Sequence, residues 1–92
     1  MNLNEIRKLA FNYKGKSIDY NDKKSINKNI IEILNNCISK NIELDINEND
    51  YIEIVNIYHE LYGLIYDDFL KALLKKSNND ISLFNVIEKI TK

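Results

Sequence analysis

From Tyr51 to Lys76 the apolar side chains return every three or four residues without interruption. Tyr51, Val55, Tyr58, Tyr62, Ile65, Phe69 and Ala72 form one row, and Ile54, Ile57, Leu61 and Leu64 form a second. That spacing places side chains on continuous stripes of a 3.6-residue helix. Two stripes predict a helix with neighbours on more than one side. Taken as one element over residues 48–76, it would be about 40 Å long. An all-α fold is therefore expected, organised around a long central third helix.

The flanking sequence supplies three more helices. Asn2 with Glu5 three residues later fits a capping box. Leu3, Ile6, Leu9, Ala10 and Tyr13 then share a face, predicting a helix over about 3–14 with Gly15 as its stop. Ser17 to Lys24 is turn-rich, with Ile18 and Tyr20 expected to tuck inward. A second helix is predicted over about 22–40, its face formed by Ile26, Ile30, Ile33, Leu34, Cys37 and Ile38, with Asn41 as a left-handed stop. Ile42, Leu44 and Ile46 alternate with acids. A lone strand has no partner in this chain, so an extended connector laid over the bundle is expected. Asn47 with Asp50 opens the third helix. Asp80 or Ser82 caps the last, over about 80–91, whose face is Leu83, Val86, Ile87 and Ile90. The sum is a small four-helix bundle in a single domain, residues 1–92. The absence of Pro, and only two Gly, agree with it. Gly63 stands out, since a glycine inside a helix costs about 1 kcal/mol relative to Ala. Close packing, a kink or a break near Tyr62 to Leu64 would each account for it.

Charge is zoned. Residues 1–41 carry eight Lys and Arg against four acids. Residues 42–70 carry eight acids and no Lys or Arg, and residues 71–92 carry five Lys against two acids. On one helix Glu53, Glu60 and Asp67, seven apart, share a face, while Tyr58, Tyr62 and Tyr66 form a ladder four apart. Acids beside tyrosines suit a protein interface, because charge steers association and Tyr adds contact area at low entropic cost. Packing of the acidic helix between basic neighbours is the competing outcome. A pI near 5.8 and scattered lysines argue against direct nucleic-acid binding.

Little points to catalysis. Cys37 is the only cysteine and falls on a core face, which suits an inert buried thiol. His59 is the only histidine, and neither Glu60 nor the more distant Asp67 and Asp68 is placed to share a metal with it. The stretch His59-Glu60-Leu61-Tyr62-Gly63 resembles the phosphorylated core of histidine phosphotransfer domains, His-x-Leu-Lys-Gly, with Tyr62 where that family has its lysine. The resemblance implies a four-helix module phosphorylated on His59. No enzyme activity, cofactor or metal is expected.

No apolar run has the length of a signal peptide or a membrane span, so a cytoplasmic location is expected. Heavy use of Ile, Asn, Lys and Tyr, all with A/T-rich codons, suggests a low-GC genome: a clostridial or mycoplasma-like bacterium, its phages or plasmids, or an A/T-rich protist. The expected function is a non-enzymatic helical module of inhibitor or immunity type, anti-CRISPR-like or nuclease-blocking. It would dock a basic partner protein through Glu53, Tyr58, Glu60, Tyr62, Tyr66 and Asp67. The alternatives are phosphotransfer through His59, a bacteriocin-immunity-like role, or a structural unit that forms a homodimer.

Overall fold

The computed structural model describes residues 1–63, 67–77 and 81–90, with the side chains of Leu83, Ile87 and Ile90 excepted. The helices are α1 (Leu3–Phe11), α2 (Lys23–Ser39), α3 (Glu48–Tyr62), α4 (Asp68–Lys76) and α5 (Leu83–Ile90), with a short 3-10 turn at Tyr13–Gly15. The all-α bundle is what the chain forms.

Local signals set most of the boundaries. Both capping boxes are present. Asn2 accepts from the Glu5 amide while Glu5 accepts from the Asn2 amide, and Asn47 and Asp50 do the same for α3. Asp22 accepts from the Ser25 amide at the start of α2, and Asn41 stops that helix at φ 58°. Ser82 Oγ accepts from the Asn85 amide at the start of α5, while Asp80 lies outside the described residues. α1 ends earlier than its apolar spacing implied. Lys14 at φ 57° and Gly15 at φ 75° are both left-handed, so the chain leaves the helix after Phe11 and turns once before the loop. Tyr20 does not tuck inward. It is 78% exposed, with its ring stacked on Phe11.

The expectation of one helix over 48–76 is corrected. α3 ends at Gly63, which takes φ 73° and donates its amide to the His59 carbonyl. A residue in the left-handed region cannot continue a right-handed helix, and glycine adopts it without steric cost. A second helix then starts from Asp67, whose side chain accepts from the Leu70 amide. Tyr51 holds the two segments together: buried in α3, it donates its hydroxyl to the Leu70 carbonyl of α4 at 2.9 Å.

With the third helix divided, α2 becomes the hub. It packs against α1, α3 and α4, while α3 also packs against α5. α2 buries Ile26, Ile30, Ile31, Ile33, Leu34 and Cys37, and these meet Leu3, Ile6, Tyr51, Ile54, Leu70, Leu73 and Val86 in one core. At about 1.5–3 kcal/mol for each fully buried aliphatic side chain, this core is the main stabilising term. Leu44 and Ile46 of the connector are fully buried, as expected, but Ile42 is 38% exposed. The connector pairs by isolated parallel bridges, Asn2 with Asp45 and Leu44 with Ser77.

Candidate functional site

Five of the six residues expected to form the docking surface are described, and they divide between the outer side of α3 and its junction with α4. Glu53 stays exposed but pairs with Arg7 of α1. Glu48, at the start of α3, pairs with Lys89 of α5 at 2.8 Å. The acidic segment thus packs between basic neighbours at these two points. Such exposed pairs contribute little stability, about 0–1 kcal/mol each, but they neutralise the acids locally. Glu60 is exposed, and with Lys23, Lys24, Asn27 and Leu61 it lines a shallow depression of about 330 Å³ between α2 and the end of α3. Tyr66 lies outside the described residues.

Asp67 has a structural task. One carboxylate oxygen caps α4, and the other accepts a hydrogen bond from the Tyr58 hydroxyl. That bond, with a smaller effect of burial, pushes the Tyr58 phenol up to about 12. Tyr58 also stacks on Phe69 of α4, with ring centres 5.0 Å apart and planes within 18°. Tyr62 leans on the other side of Tyr58 at 4.8 Å and 49°. The three rings form a ridge across the α3–α4 junction, a geometry in which aromatic pairs add roughly 0.5–1.5 kcal/mol each. Tyr62, at the outer end, is half exposed at 50%. The ridge therefore gathers Tyr58, Tyr62 and Asp67, while Glu60, two residues from each tyrosine, lies on another side of α3 toward α2, and Glu53 pairs with Arg7.

His59 is exposed on the last turn of α3, and Gly63, the end of the H-x-L-x-G stretch, is the residue that closes the helix. Among the described residues no group of three or more His, Cys, Asp or Glu gathers as a metal site, and no helix is long and apolar enough to cross a membrane. Cys37 is buried, as its position on the helix implied, and burial pushes its thiol up.

Periodicity gave no warning of a second surface. Leu9, expected on the core face of α1, is 49% exposed, and with Ile42 and Met1 it borders an apolar hollow between α1 and α2. No family model, curated protein or solved structure matches the chain.

Proposed function

We propose that this chain is a non-enzymatic helical module that binds a basic partner protein through the aromatic ridge at the end of α3. The observation that carries this reading is Tyr62. Half of its surface faces solvent, yet its ring is braced by Tyr58, which Phe69 and Asp67 hold in place. A braced, exposed tyrosine loses little side-chain entropy on binding, and its face can receive an Arg or Lys of the partner. Glu60, on another side of the last turn of α3, adds negative charge at that end of the helix. An inhibitor or immunity role, in which the module blocks a nuclease or another nucleic-acid-binding effector, fits such a surface.

The test is capture of the partner from the native host with the intact chain as bait, followed by Tyr62→Ala and Glu60→Lys. One specific basic partner is expected, with binding that weakens in salt and falls at least about tenfold in Tyr62→Ala, as for an interface hot spot. Equal capture by wild type and both variants would remove the ridge from the interface.

A further inference from the structure

The hollow between α1 and α2 is lined by Met1, Leu9, Ile33, Cys37 and Ile42, with a polar edge that includes Tyr13, Lys14 and Lys40. It has a volume of about 290 Å³. That is close to the lower limit for small-ligand pockets, which are mostly apolar with a few convergent polar groups. Three of the large hydrophobic side chains that the fold leaves exposed, Met1, Leu9 and Ile42, stand around this one opening. Among the described lining residues the charged side chains are the two lysines, and the α-ammonium of Met1 is engaged by the Glu43 carbonyl at 3.0 Å.

The edge is arranged unequally. Lys14 is engaged by Glu32 at 2.8 Å and sits 5.4 Å from the centre of the Tyr13 ring. The Tyr13 hydroxyl accepts from the Asn36 amide at 2.8 Å, which leaves its own proton to donate. Lys40, the residue that closes α2, is exposed and brings a second ammonium group to the edge.

We propose that this hollow binds a small amphiphile with one aliphatic chain and one carboxylate. The chain lies against Leu9, Ile33 and Ile42 over the Cys37 floor, and the carboxylate meets Lys40 and the Tyr13 hydroxyl. With Lys14 engaged by Glu32 and the Met1 ammonium by the Glu43 carbonyl, one available lysine suits a single negative charge, whereas a phosphate dianion is usually met by several Arg and Lys donors. The site shares no lining residue with the aromatic ridge, so it stands or falls independently of the protein-binding reading.

The experiment titrates the full isotope-labelled chain with decanoate, decanol and decylamine in turn, following backbone and methyl resonances. Decanoate is expected to give saturating shifts at Leu9, Ile33, Cys37 and Ile42, with decanol weaker and decylamine weaker still. Lys40→Gln changes an exposed side chain at the end of α2 and leaves the core untouched. It should weaken decanoate about two- to fivefold, the range of an exposed ion pair, and leave decanol unchanged. Equal binding of all three compounds, shifts centred elsewhere, or no saturation by decanoate at about 1 mM would each overturn the proposal. So would movement of the same resonances on simple dilution, because a second copy of the chain would then be the occupant.

Discussion

Tyr58 on α3 donates its hydroxyl to Asp67, the residue that caps α4. One carboxylate thus ends the orphaned amides of one helix and anchors the last turn of another. The ring and the charge expected to face a partner hold each other instead, and Tyr62, half exposed, is the ring of the described ridge left outward.

Replacing Tyr58 by Phe should cost about 1 kcal/mol, the usual net value of such a bond, with the stacking on Phe69 retained. The cost should depend on alkaline pH. The fold raises the Tyr58 phenol from an ordinary value near 10 to about 12, so it favours the neutral form. The stabilisation is complete below about pH 10 and is lost as pH rises towards 12. Urea melts of wild type and Tyr58→Phe should therefore converge across that window. A gap that stays constant would show that the hydroxyl is not coupled to Asp67.

Gly63 makes a prediction whose sign decides between two architectures. In a continuous helix, Gly63→Ala would stabilise by up to about 1 kcal/mol. At φ 73° an alanine is strained by roughly 1–2 kcal/mol, although its Cβ would meet nothing within 4 Å. Gly63→Ala should therefore lower the thermal midpoint, and Gly63→Asn should lower it less. A rise on Gly63→Ala would restore the single long rod.

The paired capping boxes can be tested in the same way. Asn2→Ala and Asn47→Ala each remove a side-chain acceptor from the N-terminus of a helix. Each should cost about 1 kcal/mol, seen as a lower urea midpoint with an unchanged slope. A change of slope would mean that the substitution alters the compactness of one of the two states.

Features set by neighbours in sequence were legible. The capping boxes, the Asn41 stop, the buried Cys37 and the connector with Leu44 and Ile46 inside all follow from residues a few positions apart. The division of the third helix was harder to see, because Tyr62 and Phe69 keep a seven-residue spacing across it. Both segments turn apolar faces to the same core, so the periodicity persists although the backbone does not continue. Asp67, an N-cap residue type followed by the first-turn acid Asp68, carried a helix-start signal that this rhythm hid. The pairing of Arg7 with Glu53 and the hollow between Leu9 and Ile42 depend on which helices become neighbours, and no local pattern encodes that.

The connector has a kinetic consequence. Asp45 donates its amide to the Met1 carbonyl, and Leu44 bridges to Ser77, so one extended stretch fastens the first residues to the end of α4. Bringing residues this far apart in sequence together carries a loop-closure entropy cost that the local contacts of a helix do not incur. A few residues that belong to no helix therefore carry non-local contacts, the kind that slows folding, and α1 is fully seated only when they are in place.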